Sequence, residues 1–195
     1  MIEPVAFGYN AETAVNNYFQ QQPVVTDNTL QSKALAEFRK MVDQLRASGI
    51  TVVVVQDTPE PRTPDSVFPN NWVSFHRNGL AVLYPMYAEN RRTERRTDLF
   101  SILKVNGYNY TEILDLSAFE HQRLYLEGTG SMVLDRRNKL AYAALSERTN
   151  AEVLNIFCKN TGYKPVAFHA LQQVGDQRLP VYHTNVMMCV GEQFA

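Results

Sequence analysis

The sequence is poor in cysteine and has no long apolar run. Its two cysteines, Cys158 and Cys189, can form at most one bridge, so a disulfide-built secreted scaffold is not expected and a reducing cytoplasm is the expected location. The longest apolar run, Ile50–Val55, suits a buried strand and is too short to span a membrane. The N-terminus lacks the charged start and apolar stretch of a signal peptide.

The sequence also lacks an excess of charge of either sign. Its 19 basic and 20 acidic residues give a net charge of −1, so neither nucleic acid nor an anionic membrane is expected as a partner. It contains no Gly-rich phosphate loop, no Cys/His zinc spacing and no Gly-x-Ser-x-Gly motif. Nucleotide, zinc and serine-hydrolase chemistry therefore have no support, and we expect no metal and no cofactor.

One order of elements recurs along the chain: hairpin, helix, strand. The first pass has an extended Pro4–Asn10, a helix over about Thr29–Ala47 and a strand Ile50–Gln56. Apolar residues at spacings of three and four predict that helix, and Ser48-Gly49 is a typical stop signal. Its apolar face carries Leu30, Ala34, Leu35, Phe38, Met41, Val42 and Leu45.

The second pass predicts a hairpin from Ser66–Phe75 and Leu80–Tyr84, because the turn between them contains Asn78-Gly79. A helix over about Thr93–Val105 and a strand Tyr110–Leu116 complete it.

The third pass predicts a hairpin from Leu124–Leu134 and Leu140–Ala144. A capping box from Thr149 to Glu152 opens the next helix, and the strand Pro165–Leu171 follows. The helix is expected to turn four residues inward: Val153, Leu154, Phe157 and Cys158.

A fourth pass begins at Leu179–Met188, turns at Gly191 and reaches Gln193–Ala195, inside the expected second strand. The period is about 55 residues, and the class is α/β. A half repeat exposes unpaired backbone groups, so we expect the chain to be truncated, with a natural edge strand as the alternative.

Four motifs carry a resemblance to a known superfamily. The segment Pro64–Asn71 (PDSVFPNN) resembles dimethylarginine dimethylaminohydrolases. The run Pro85–Tyr87 (PMY), followed by Arg91–Glu94 (RRTE), is similar to arginine deiminases. Leu126–Gly130 (LEGTG) and Tyr182–Asn185 (YHTN) resemble two further arginine deiminase motifs, and all four occur in the family's order.

The resemblance is to the amidinotransferase superfamily, with the citrulline-utilisation hydrolases as the nearest branch. It implies a pentein α/β-propeller of five modules around a pseudo-fivefold axis. This chain would form a single, incomplete domain, with modules at about 1–60, 61–118 and 119–172 and a partial module at 173–195. About three and a half of the five modules would be present.

The resemblance also implies roles for four residues. A cysteine thiolate attacks the guanidine or urea carbon, and His183 protonates the departing amine. Glu127 orients that histidine or the substrate. Arg91 is the expected clamp for the substrate α-carboxylate, and Asp65 is placed to meet the α-ammonium. An Arg cluster near a predicted helix N-terminus opposes the helix dipole, so a bound carboxylate there would be favourable.

Two positions depart from the arginine deiminase pattern, which has aspartates where this chain has Asn71 and Asn185. Carboxylates suit a guanidinium, which is a cation with donors only. An amide can match a neutral ureido group, which has both a carbonyl acceptor and N–H donors. The two asparagines therefore favour citrulline, unless they merely cap turns, as Asn often does.

The expected nucleophile is missing, because neither cysteine matches the family position. Cys189 is expected as a core residue in the middle of a strand, and Cys158 lies on the inward face of a helix. We expect a C–N hydrolase acting on citrulline, and a 195-residue chain that is inactive. Arginine deiminase, dihydrolase or amidinotransferase activity is the alternative within enzymes, and an inactive amino-acid-binding or scaffold protein is the alternative outside them. The partner is a small amino acid, and a homodimer stays open.

Overall fold

A computed structural model describes residues 1–22, 24 and 26–194. The chain divides into two compact units, one formed by Met1–Pro69 with Ala88–Tyr110 and one formed by Asn70–Tyr87 with Thr111–Ala195. No helix among the described residues is long and apolar enough to cross a membrane.

The helices are α1 (Ala11–Ala14), α2 (Asp27–Ala47), α3 (Glu89–Arg92), α4 (Leu99–Val105), α5 (Gly128–Ser131) and α6 (Ala151–Thr161). The strands are β1 (Ile2–Glu3), β2 (Val55–Gln56), β3 (Val73–Phe75), β4 (Leu80–Leu83), β5 (Glu112–Asp115), β6 (Val133–Asp135), β7 (Leu140–Ala144), β8 (Lys164–Phe168), β9 (Leu171–Val174) and β10 (Gln177–Pro180). Short 3-10 turns lie at Pro69–Asn71, Ser117–Gln122 and Thr184–Val186.

In the first unit, the long helix α2 confirms the first predicted helix. It begins after Thr26, whose side chain accepts a hydrogen bond from the Thr29 backbone N–H, and it ends at Ser48. Of its predicted apolar face, Phe38 and Val42 are buried. The strand predicted over Ile50–Gln56 was too long, because the parallel pairing of β2 with β1 covers only two residues of each strand.

The helix predicted over Thr93–Val105 was wrong at its start. The structure has α3 and α4 with a break between them, because the backbone after α3 follows 3-10-type turns, with Glu94 N–H donating to the Arg91 carbonyl. The Arg96 side chain is then held by Asp98, at the N-cap of α4, and by the Gln56 carbonyl.

The second unit contains two three-stranded sheets of the same arrangement. Strands β3 and β4 form an antiparallel hairpin, and β5 adds parallel to β4. Strands β6, β7 and β8 have the same arrangement. The hairpins predicted at Asn78-Gly79 and at the turn before Leu140 are thus confirmed, and Gly79 has the positive φ of 80° that the first turn requires.

The core of this second unit lies between the sheets and helix α6. The four residues predicted to face inward from α6 are all buried. They pack against residues of β4 and β7, among them Val82 and Ala141. The capping box was displaced by one residue, because the side chain of Asn150, not Thr149, accepts the backbone N–H groups of Glu152 and Val153.

The fourth pass departs from the predicted strand Leu179–Met188. Strand β10 pairs with β9 and ends at Pro180, beyond which the backbone enters the 3-10 turn. Thr184 fixes that turn, since its hydroxyl donates to the Ser131 carbonyl and accepts the Ala144 N–H. Gln193 and Phe194 lie in no strand, and Ala195 lies outside the described residues. Closure into a five-module propeller stays a prediction.

Candidate active site

A buried histidine–carboxylate pair is the main feature of the second unit. Glu127 immediately precedes α5, and His183 immediately precedes the 3-10 turn Thr184–Val186. His183 Nε2 lies 2.6 Å from Glu127 Oε2. Glu127 is 0% exposed and His183 is 5% exposed. A carboxylate this deeply buried needs partners, and the imidazole N–H is one of them.

The backbone around Glu127 fixes the other oxygen of the carboxylate. Oε1 accepts the Tyr87 backbone N–H at 2.9 Å. The Glu127 N–H donates to Ser131 Oγ at 2.8 Å, and that hydroxyl donates to the Arg148 carbonyl at 2.7 Å. Both ends of the residue are therefore held, so the carboxylate presents a single orientation to His183.

Arg148 is a site residue that the sequence reasoning missed. Its Nη1 lies 3.6 Å from Glu127 Oε2, and its side chain is only 2% exposed. The guanidinium also lies over the Tyr182 ring, 4.9 Å from the ring centroid, and 5.6 Å from that of Tyr87. The signal in the sequence that could have identified Arg148 was its position, since Tyr87 and Arg148 both lie in the loop after the second strand of a hairpin.

Asn71 and His183 meet at a glycine. A β-carbon added at Gly130 would clash with Asn71 Nδ2 and lie 2.8 Å from His183 Nδ1. Only glycine therefore fits at this position. Asn71 is 4% exposed, and within the described part of the chain its side chain makes no hydrogen bond. Its amide is thus buried near the pair and available to a ligand.

The local backbone at these three positions differs from the prediction. The sequence predicted that Asn71, Glu127 and His183 lie in the first strands of successive repeats, within Ser66–Phe75, Leu124–Leu134 and Leu179–Met188. The structure instead places each in or beside a short helical turn, at Pro69–Asn71, α5 and Thr184–Val186. Such turns of three or four residues carry no apolar periodicity, so the pattern of the sequence extended the strands through them.

Asn185 is not brought into the same buried setting. It lies in the 3-10 turn Thr184–Val186, and it is exposed, whereas His183 and Thr184 are buried. The N-cap of that turn is His183, whose side chain makes no capping hydrogen bond.

In the first unit, Asp65 belongs to a polar network. Its Oδ2 accepts hydrogen bonds from Asn10 Nδ2 at 2.7 Å and from Thr13 Oγ1 at 3.3 Å. The Asn10 side chain is in turn bonded to Asn90, whose Nδ2 donates a hydrogen bond to Asn10 Oδ1 at 2.7 Å. Arg91 Nε lies 3.9 Å from the same Asp65 oxygen.

Arg91 is buried and grips a carboxylate of the protein. Its Nε and Nη2 donate to the two oxygens of Glu94, both at 2.9 Å. Nη2 also donates to the Phe68 carbonyl at 3.2 Å. The dipole argument for a carboxylate ligand was therefore wrong: Arg91 lies in the last turn of α3, where a positive charge is favoured, and Glu94 already neutralises it.

The cysteines lie in different environments. Cys158 packs in the core of the second unit, and burial raises the pKa of its thiol to about 11. It is therefore a protonated, inert thiol at neutral pH. Cys189 was expected in the middle of a buried strand, but it is exposed and lies in no strand. The described residues contain no group of three His, Cys, Asp or Glu side chains that could hold a metal ion.

This arrangement can hold an imidazole in one orientation and supply it with a carboxylate partner. A histidine so held can donate or accept a proton at its second ring nitrogen, Nδ1. The Asn71 amide beside it offers both a donor and an acceptor. The geometry suits proton transfer to a small polar group that the amide binds.

Comparisons with known proteins point to one family. The sequence model described as "N,N dimethylarginine dimethylhydrolase, eukaryotic" matches residues 3–195. No curated protein sequence matches the chain.

Solved structures of similar fold include two enzymes. Dimethylarginine dimethylaminohydrolase from Pseudomonas aeruginosa, a Cys-to-Ser mutant complexed with citrulline, is 18% identical, with a TM-score of 0.59 over 89% of this chain and 60% of that one. The N-terminal domain of ArgZ, an arginine dihydrolase from the ornithine–ammonia cycle in cyanobacteria, bound to substrate, is also 18% identical, with a TM-score of 0.60 over 90% of this chain and 58% of that one. The chain thus has their α/β fold and spans about 60% of their length.

Proposed function

Because the chain belongs to the N,N dimethylarginine dimethylhydrolase family of the pentein superfamily, whose members are amidino hydrolases, we propose that the protein hydrolyses a C–N bond of citrulline to give ornithine. The observation that carries the proposal is the buried pair in which His183 Nε2 lies 2.6 Å from Glu127 Oε2. Since the chain spans only part of its relatives, the proposal concerns the whole protein.

The proposed reaction is covalent. A cysteine thiolate adds to the ureido carbon, and His183 protonates the amine as the C–N bond breaks. Water then attacks the carbon of the thioester-like adduct, and His183 accepts its proton as the C–S bond breaks. Glu127 holds the imidazole and stabilises its protonated form through the 2.6 Å contact. The products are ornithine and carbamic acid, and carbamic acid then decomposes to ammonia and carbon dioxide.

Asn71 supports a neutral substrate. Its buried amide can donate to the ureido oxygen or accept from a ureido N–H. A guanidinium in the same place would bring a full charge, and a buried charge without a counter-charge costs several kcal/mol. Asn185 is proposed as the second such contact, although its exposure makes the penalty there smaller.

Asp65 and Arg91 are the residues proposed to bind the amino-acid end of the substrate. Asp65 is proposed to bind the α-ammonium. The hydrogen bonds that its carboxylate accepts from Asn10 and Thr13 come from neutral groups, so they leave its negative charge in place for a cationic ligand. Arg91 is proposed to bind the α-carboxylate, in competition with Glu94, which occupies its Nε and Nη2. Removing Glu94 should therefore tighten substrate binding if Arg91 is the clamp.

The nucleophile is proposed to be a cysteine other than Cys158 and Cys189. Cys158 is excluded by its place in the core and its raised pKa. Cys189 is exposed, and within the described residues it has no hydrogen bond to either member of the His183–Glu127 pair. The 195-residue chain is therefore proposed to bind citrulline without hydrolysing it.

Calorimetric titration of the purified chain with citrulline and arginine, together with an ammonia assay, tests this function. We expect citrulline to bind more tightly than arginine, no ammonia release, and weaker citrulline binding in Asn71→Ala. Asn160→Ala is the matched control, since that exposed amide only donates to the Ile156 carbonyl. Tighter binding of arginine would favour the dihydrolase alternative. Ammonia release at enzymatic rates would contradict the assignment of the nucleophile and make Cys189→Ser the next variant.

The alternative outside catalysis is an inactive amino-acid-binding or scaffold protein. The enzyme hypothesis and the binding-protein hypothesis both predict that the 195-residue chain binds citrulline, so citrulline turnover by the whole protein distinguishes them. Citrulline hydrolysis that is lost in His183→Ala supports the enzyme. Tight citrulline binding with no turnover in the whole protein supports the binding protein.

A further inference from the structure

Two hairpin turns of the second unit bring basic side chains to one cavity. The turn between β3 and β4 carries Arg77, and the turn between β6 and β7 carries Arg136, Arg137 and Lys139. All four line a cavity of about 550 Å³. Neither Glu127 nor His183 is among its lining residues, so the cavity is separate from the candidate active site.

The charge of this cavity is not compensated by ion pairs. Among residues 1–22, 24 and 26–194, no carboxylate lies within ion-pairing distance of any of the four cations. Glu192 is the one carboxylate among the lining residues that the structure describes. The nearby Asp135 accepts the backbone N–H groups of Arg137 and Asn138, and its pKa is lowered first by the hydrogen bonds from Asn138 and to a smaller extent by the Arg137 charge.

The buried wall of the cavity responds to that charge. His76 lines it, and the pKa of His76 is lowered to about 4, first by burial and then by Arg136 and Lys139. The imidazole is therefore neutral and leaves the cationic character to the arginines and the lysine. Since the positive charges of Arg136 and Lys139 disfavour protonation of His76, the same charges would attract an anion to the cavity.

The turn between β6 and β7 is also held in place. The four-residue turn after Asp135 is closed by its side chain, which additionally accepts Asn138 Nδ2 at 2.7 Å. Lys139 has a positive φ of 56°, and its carbonyl accepts the Lys164 N–H at 2.7 Å. The Lys139 ammonium lies over the buried Tyr163 ring, 4.7 Å from the centroid. An ordered backbone lowers the cost of placing these cations around a ligand.

We propose that this cavity is a binding site for a small molecule that carries more than one phosphate group. Three arginines offer the forked donors that match phosphate oxygens, and Lys139 adds a fourth charge. The volume is in the range of small-molecule sites. The chain has a net charge of −1 and no extended basic stripe, so nucleic acid does not fit.

Calorimetric titration of the chain with inorganic pyrophosphate at low salt tests this site. We compare Arg136→Gln/Arg137→Gln with Lys40→Gln/Arg178→Gln, which removes the same charge from exposed residues that do not line the cavity. Pyrophosphate affinity should fall at least about tenfold in the first variant and change less than about twofold in the second. Equal losses would show a general charge effect and overturn the site, as would an absence of binding to the wild type.

Citrate is the second probe, because it is a small polyanion with carboxylates in place of phosphates. We expect pyrophosphate to bind at least about tenfold more tightly than citrate. Citrate that binds as tightly would overturn the preference for phosphate. The variants change only exposed side chains, and circular dichroism and thermal unfolding confirm that each is folded before it is titrated.

Discussion

His183 and Glu127 are in direct contact in the candidate active site, with Nε2 2.6 Å from Oε2 and neither residue more than 5% exposed. The two residues are far apart in sequence, and each is held by its own helical turn. The Tyr87 N–H and Ser131 hydroxyl fix Glu127 independently of the histidine. The carboxylate is thus preorganised, and the imidazole is the partner that it orients.

The first prediction concerns Glu127→Gln. A proton held between an imidazole nitrogen and a buried carboxylate should give a far-downfield, exchange-protected signal in the proton NMR spectrum. We expect the signal in the wild type and not in Glu127→Gln, while Glu112→Gln, an exposed strand residue, keeps it. In a form that hydrolyses citrulline, kcat should fall by about 10²–10⁴. A retained signal would mean that the pair is not formed in solution.

The second prediction concerns Gly130→Ala. The added methyl group would clash with Asn71 Nδ2 and approach the His183 ring to 2.8 Å. Overpacking of this kind costs about 1–3 kcal/mol of unfolding free energy, and citrulline binding should weaken as well. Gly8→Ala is the control, because the atom nearest to its added methyl group is at the far end of the long Arg62 side chain, at 3.0 Å. Denaturant unfolding and calorimetry measure both effects; equal stability of the two variants would contradict the close approach.

The third prediction concerns the pH dependence of stability. The pKa of His76 is about 4 in the folded chain, below the ordinary 6.5, chiefly because the ring is buried. The unfolded chain therefore takes up a proton first as pH falls below about 6.5, and the folded state loses relative stability until about pH 4, where the effect levels off. The loss should be on the order of 2 kcal/mol, less than the full pKa difference would give, because His76 lines a cavity and keeps 9% of its surface exposed.

His76→Gln tests this directly, because the amide can still bond Ser74 Oγ, which lies 3.0 Å from the imidazole. The slope of unfolding free energy against pH between 6.5 and 4 should be shallower in His76→Gln than in the wild type. His121→Gln, an exposed histidine, should leave it unchanged. If the wild type and His76→Gln have parallel curves, His76 is not buried as the structure places it.

The order of elements could be predicted from the sequence, because hairpins and helices carry local signals. Asn78-Gly79 predicted one turn, and the apolar spacing of Val153, Leu154 and Phe157 predicted the buried face of α6. Boundaries set by tertiary contacts could not be predicted. Strand β10 stops at Pro180 because Thr184 binds backbone groups at Ser131 and Ala144, distant in sequence.

The site shows the same division. Motif order selected Glu127 and His183, and the structure places them in contact. The sequence could not reveal that Glu94 neutralises Arg91, because the spacing of the two residues does not show that their side chains are buried together. Arg148 was missed because its role depends on Tyr87 and Tyr182 rings that the fold brings over it.

The last prediction concerns substrate charge, and the structure makes the two asparagines unequal. Asn71 is 4% exposed, so a carboxylate there would supply a strong counter-charge to a guanidinium and repel the ureido oxygen. Asn185 is exposed, so water screens a carboxylate at that position. In a form of the protein that hydrolyses the substrate, Asn71→Asp should therefore raise the ratio of kcat/KM for arginine to kcat/KM for citrulline by at least about tenfold. Asn185→Asp should raise it by about twofold or less. The double variant should resemble Asn71→Asp. An unchanged ratio in Asn71→Asp would show that the buried amide does not sense substrate charge, and a larger effect of Asn185→Asp would place the ureido group nearer the exposed turn.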